Sequence, residues 1–173
     1  MGVILELARA RQKIKELEIE VAELEGQIIP PPAPTIKGII SFQELYSLIA
    51  GIFPTQMDKV FFSDLNYEIT AISEIRRFVE WDDVNIFPYL AEVHDCDDFA
   101  AALAGDFSKY PGWSGFPATD VWGSYLGGHA FFLVVAWPSF EDRTPTVYYV
   151  EPQNDHELAA EMIESMDLWV LVI

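Results

Sequence analysis

One cysteine, few basic residues and no long apolar run set the outer limits of this 173-residue chain. Cys96 stands alone, so no internal disulfide forms, and the fold holds by burial and hydrogen bonding. No apolar segment approaches the roughly 20 residues that span a bilayer. The start, Met1-Gly2-Val3-Ile4-Leu5-Glu6, places an acid in its short apolar stretch and lacks a basic leader, so it does not read as a secretory signal. A soluble chain without a signal peptide, cytoplasmic or virion-associated, is the expectation. Only 10 Lys and Arg oppose 28 Asp and Glu, for a formal net charge of −18, and residues 38–173 hold 22 of the acids against 5 of the bases. Such a surface repels phosphate backbones and anionic lipid, which excludes nucleic acid and membrane surfaces as partners and favours cations.

The apolar content is ample, at 51% hydrophobic and 14% aromatic residues, enough for one domain with a real core. Residues 1–28 read as a coiled-coil helix, with Leu7, Ile14, Val21 and Ile28 at heptad position a and Val3, Ala10, Leu17 and Leu24 at d. A homo-oligomer through residues 1–28, dimer or trimer, follows from that seam; a single amphipathic helix packed on its own domain is the competing reading. Residues 29–36 carry Pro30, Pro31, Pro32 and Pro34, which bar helix and impose an extended linker. The domain proper spans 37–173.

Within it, Ser41-Phe42-Gln43-Glu44 forms a capping box that opens a helix to about Ile49, with Gly51 as its stop. A second helix follows Thr70, with Ile72, Ile75, Phe78 and Val79 on one face and Trp81-Asp82-Asp83 breaking it. A third begins near Asp95 and ends at Gly105. Tyr110 to Gly128, rich in Gly, Pro and Trp, reads as a long ordered loop. Ala130 to Trp137 is apolar on both alternating faces, the pattern of a central strand covered on both sides. Val147 to Val150 returns beside it, antiparallel. Asp155 caps a helix to about Met166, and Leu168 to Ile173 form a last strand.

Three blocks of this pattern could carry chemistry. Cys96 sits at a helix start, where free N–H groups and the helix dipole favour a thiolate. His129 begins the central strand and Glu151 ends the next, so an antiparallel pairing brings both to one sheet edge, base and orienting acid for the thiol. Asp95, Asp97 and Asp98 work against this by raising the thiol pKa, and the site therefore wants a cation. Clustered carboxylates with Gln153 or Asn154 nearby are hard oxygen ligands suited to calcium. Without a cation, Asp95 caps the helix and Asp97 and Asp98 complement its dipole.

Asp95-Cys96-Asp97-Asp98-Phe99-Ala100, Gly128-His129-Ala130-Phe131 and Val150-Glu151-Pro152-Gln153-Asn154-Asp155 resemble the papain-like cysteine protease family that includes the C-terminal domain of the Marasmius oreades agglutinin and bacterial and phage relatives. The resemblance implies an α+β, papain-like or transglutaminase-like domain, its Cys-bearing helix packed on an antiparallel sheet and preceded by the coiled-coil helix. It also implies a calcium-dependent peptidase or thiol hydrolase with Cys96 as nucleophile, His129 as base and Glu151 as orienting acid, acting on a peptide or protein substrate. Asp97, Asp98 and Gln153 would be its Ca2+ ligands. Leu90 departs from the pattern, standing where papain-like enzymes carry the oxyanion-hole glutamine.

Weaker candidates are Trp113, Trp122 and Tyr125, as a stacking surface for sugar or peptide or, more commonly, as lids folded onto the core. His94 reads as a solvated turn and His156 as exposed. The alternative to a peptidase is a non-catalytic structural or binding module of a phage or surface assembly, oligomerised by the coiled coil, because fold alone does not establish chemistry.

Overall fold

The computed structural model describes residues 6, 10–17, 31–91, 93–124 and 127–173. The chain divides into two compact units, Met1–Pro30 and Pro31–Ile173. In the first, residues 10–17 are helical and solvent-facing, with Ile14 and Leu17 about half exposed and Lys13 paired with Glu16 one turn on. Most of the heptad positions lie outside the described residues, Leu7, Val21 and Ile28 among them, as do Val3 and Leu24.

The second unit is a mixed α+β domain built around one strand. β5 (Gly128–Ala136) is buried from Ala130 onward, because its two faces feed two different cores. Phe131, Leu133 and Val135 point into one core, and Phe132, Val134 and Ala136 into the other. Burying apolar surface on both sides, worth about 25 cal/mol for every Å² taken from water, makes this strand the anchor of the fold. The six-stranded sheet runs β2 (Val60–Phe61), β8 (Asp167–Val172), β4 (Ala118–Ser124), β5, β6 (Thr146–Glu151), β7 (His156–Glu157), antiparallel except where β2 meets β8.

On one face lies α1 (Phe42–Ile52), which buries Leu45 and Ile49, together with the small antiparallel pair β1 (Gly38–Ser41) and β3 (Asn66–Ile69). Ser41 caps α1 and Glu44 reaches back to the Ser41 backbone, the capping box read from the sequence. The helix runs past Gly51 to Ile52. The other face is covered by α2 (Ile72–Val79), which presents Ile72, Ile75, Phe78 and Val79, and by α3 (Cys96–Lys109). α3 continues one turn beyond Gly105 because Phe107 has a place in the core, its ring centroid 4.1 Å from that of Phe78.

Three sequence expectations are corrected. Part of the expected loop between Tyr110 and Gly128 is β4, whose burial alternates strictly and whose Gly123 admits Met166; a Cβ there would lie 2.5 Å from the Met166 side chain. The expected Asp155–Met166 helix is instead a turn, the two-residue β7 and the short α4 (Ala160–Glu164). Asp155 cannot cap a helix there because it has left-handed backbone, φ +59°. His94 is no solvated turn: its ring stacks edge-on against Phe99 at 4.4 Å, and its Nδ1 is buried without a hydrogen-bond partner. The proline segment is docked as well. The Pro31 carbonyl accepts from Trp113 Nε1 at 3.0 Å and the Pro32 carbonyl from Arg77 at 2.7 Å.

Asp82, just after α2, is 5% exposed. Its Oδ1 accepts the Val84 amide at 2.9 Å, while Oδ2 has no N–H donor and faces the carboxyl of Asp106 on α3. Burial first, then sharing a hydrogen bond and charge with Asp106, pushes Asp82 up to about 7 from its ordinary 3.8. The native state therefore keeps a proton that the unfolded chain releases near pH 4. Stability from the neutral form is complete below that pH and falls as pH rises towards 7. Asp82→Asn, which mimics the neutral form, should raise the melting temperature at pH 7.5, at about 2–4 °C per kcal/mol for this size, and leave it unchanged at pH 4. Thermal unfolding of both proteins at the two pH values checks this.

Candidate functional site

The free end of the central strand is where polar side chains converge. His129 is the second residue of β5 and pairs across β4 with Gly123. Glu151 closes β6, one residue beyond the Phe132–Val150 pair, so its carboxylate reaches diagonally along the strand edge to His129. Its Oε2 lies 2.8 Å from His129 Nε2, with the His129 side chain 31% and the Glu151 side chain 13% exposed. Glu151 also accepts weakly from the Gln153 amide, at 3.4 Å, which ties the following turn to the same carboxylate. A half-buried charge-assisted pair of this kind fixes the ring and its tautomer.

Across from His129 stands the N-terminus of α3. Asp95 is its cap, accepting from the N3 backbone, while the Asp98 carboxylate accepts the Asp95 amide at 3.2 Å, a second capping box. Asp95, Cys96, Asp97, Trp122, Gly128, His129, Ala130 and Trp169 together line an open cleft of about 240 Å³. Trp169, on β8, is 52% exposed, and the outer edge of its indole sits so close to Gly128 that a Cβ there would lie 2.9 Å from it. Any side chain at 128 would push the ring off this seat. Trp122 is half-buried, its Nε1 held by Asp120.

The structure thus brings Cys96, His129, Glu151 and Asp97 to one place. Asp98 is turned to helix capping, and the carboxylates that gather with the Cys96 sulfur, all within 4.8 Å, are Asp95 and Asp97. Asp95 belongs to the clustered carboxylates of the sequence but not to the Ca2+ ligand set that the resemblance implies. The proximity of Trp169 was illegible too, since it depends on β8 lying beside β4. Trp113 is fully buried, a core residue rather than a stacking surface, and Tyr125 lies outside the described residues. His156 is exposed on β7, as its sequence context implied.

The electrostatics do not activate the thiol. Partial burial raises the Cys96 pKa, and Asp95 and Asp97 raise it further, against a smaller lowering from the Ala130 backbone. Asp97 is itself raised, chiefly by its hydrogen bond with Asp95. At Cys96 burial is the main cause, and the two carboxylates beside the sulfur add to it. At neutral pH the site presents a thiol, a carboxylate-bound imidazole, acceptor oxygens and an exposed indole face.

A mixed α+β domain with a two-sided central strand and an acidic, tryptophan-edged cleft is the class this defines. Its fold is that of part of the Polyporus squamosus lectin. A structure described as the PSL1a–E64 complex matches with a TM-score of 0.61 and 22% identity over 78% of this chain and 50% of that one. Polyporus squamosus lectin bound to the human-type influenza-binding epitope Neu5Acα2-6Galβ1-4GlcNAc matches with a TM-score of 0.60 and 21% identity over 78% and 49%. The chain spans about half the length of these solved proteins, and at such identity the likeness shows the fold. Neither a family model nor a curated protein sequence matches the chain.

These findings correct the sequence resemblance. The proteins whose fold the chain shares are lectin structures, not members named as papain-like proteases, and the reading of a cysteine peptidase or thiol hydrolase falls with that resemblance. Within the chain itself, burial and then Asp95 and Asp97 raise the Cys96 pKa. Iodoacetamide should accordingly alkylate Cys96 at pH 8 more slowly than a cysteine in an unstructured peptide. Measuring the rate against pH should place its apparent pKa above the free-thiol value of about 8.5; a value below that would show an activated thiol.

Proposed function

We propose that the chain is a non-catalytic binding module whose ligand is a saccharide seated in the cleft between the α3 N-terminus and the start of β5. The observation that carries this reading is the exposed indole of Trp169 lying over Gly128 beside Asp95, Asp97 and His129. Sugars offer apolar C–H faces that stack on an aromatic ring and hydroxyls that need fixed acceptors at their edges. Trp169 offers the face. The two carboxylates and the imidazole offer the acceptors, and Glu151 keeps the imidazole from turning. At about 240 Å³ the cleft lies just under the usual 300–1,000 Å³ of ligand pockets, which suits a terminal sugar unit rather than a long chain.

The lectin structure with the sialylated epitope supports the saccharide class. The charge of this chain argues for a different member of it. A sialic acid carboxylate would enter a cleft already holding Asp95 and Asp97, on a protein of net charge −18, and like charges at such distances repel by several kcal/mol at partial burial. A neutral sugar is therefore the ligand of this reading while no cation offsets those two carboxylates. A calcium ion, which the resemblance implies at Asp97 with Asp98 and Gln153, would offset that charge and admit an anionic sugar as well. The geometry favours Asp95 and Asp97 for the ion, since Asp98 is engaged in capping. Display in several copies through residues 1–28 would multiply weak single-site binding, and sedimentation of the full chain reads the copy number.

Titration with neutral and with sialylated oligosaccharides, followed by tryptophan fluorescence with calcium and with a chelator, tests the proposal. A neutral sugar should quench the emission saturably, and Trp169→Ala should weaken its binding by roughly tenfold or more, the scale of a lost aromatic contact, with the melting temperature little changed. Binding that survives Trp169→Ala intact would remove the cleft from the account, and a preference for the sialylated sugar in the presence of the chelator would contradict the charge argument.

A further inference from the structure

A second concavity lies on the other side of the turn that carries Glu151. Ile72, Ile75 and Val79 of α2 and Val150 of β6 form its floor, and Arg76, Glu80, Asp155, His156 and Glu157 form its rim, enclosing about 480 Å³. That volume is within the range of small-molecule sites, and an apolar floor with a few polar groups at one edge is their usual construction. The turn from Glu151 to Asp155 shapes both concavities. Glu151 faces the cleft through His129, whereas Asp155, held at φ +59°, faces the groove. A non-glycine residue in left-handed backbone carries a local strain that its surroundings must hold in place. Here the holding group is Asn85, whose side-chain amide donates to Asp155 Oδ2.

The rim has one permanent cation against three acids. Arg76 is committed to Glu157, with Nη2 2.6 Å from the carboxylate. Glu80 and Asp155 both line the groove; burial is the main cause that raises Asp155, and the charge of Glu80 adds to it against Asn85 and His156. His156 is the remaining titratable group at the rim, and it is exposed. Two carboxylates over an apolar floor repel each other and attract a cation whose body is apolar.

We propose that the groove between α2 and the Glu151–Glu157 turn binds a small organic ammonium ion, its alkyl or aryl body on Ile72, Ile75, Val79 and Val150 and its charge between Glu80 and Asp155. The site is separate from the saccharide cleft and does not depend on it. A free amine is the occupant, because the groove is sized for a small molecule and its charged rim closes over one cation.

Hexylammonium is the probe, with hexanoate as the anion of equal body, titrated into the full chain and followed by amide and methyl NMR shifts. Hexylammonium should move the signals of Ile72, Ile75, Val79 and Val150 saturably, with affinity falling as salt rises, and hexanoate should not. Glu80→Gln, at an exposed position, should weaken binding roughly tenfold, the scale of a lost charge-assisted contact, while unbound spectra overlay elsewhere. Equal shifts from both probes would leave a non-specific apolar groove and overturn the proposal, as would shifts confined to other residues or binding unchanged in Glu80→Gln. An N-acetyl-lysine amide binding tenfold or more tighter than hexylammonium would overturn the free-amine assignment in favour of a protein side chain.

Discussion

The burial of β5 on both faces is the constraint from which the rest of the domain follows. Six consecutive residues, Phe131 to Ala136, alternate between two cores and leave no solvent-facing position. A strand of this kind cannot slip by one residue without exchanging the two sets, which fixes the register of β4 and β6 on either side. Polar chemistry is thereby confined to its ends. His129 lies at the free end, with the α3 N-terminus on one side and the end of β6 on the other, and the cleft exists because the strand stops being apolar there.

Charge then decides what the cleft can do. A helix N-terminus beside a histidine would ordinarily favour a thiolate. Burial, with Asp95 and Asp97 adding to it, raises the Cys96 pKa instead, and the same acids place acceptor oxygens beside the sulfur. Glu151 serves either chemistry by holding the His129 ring, which explains how letters in nucleophile, base, acid order can stand in a domain whose structural likeness is to a lectin.

The sequence was most legible where one periodicity dominated. The two-sided apolar run of β5, the Ser41–Glu44 capping box and the Ile72–Val79 face all survive in the structure. It was least legible where tertiary contacts override local signals. Gly123 and the loop-like composition around it hid β4, because the glycine is required by Met166 from a distant segment. Asp155 resembled a helix cap but is a strained turn residue held by Asn85, seventy positions away. At the site, strand pairing alone could place His129 beside Glu151, and the family resemblance added Cys96 and Asp97 from the helix. Trp169 could not be placed, since its position over Gly128 depends on β8 entering the sheet beside β4. The functional inference from those letters failed because residue order carries no information on whether the thiol ionises.

The most direct test of a binding module over a catalyst compares the full chain with its Cys96→Ala variant in two assays, mass spectrometry of a diverse peptide pool with calcium present and titration with neutral oligosaccharides. The account predicts no Cys96-dependent cleavage in the pool and saccharide binding preserved in the variant. Peptide cleavage by the parent chain that disappears in Cys96→Ala, with no saccharide bound by either, would contradict it.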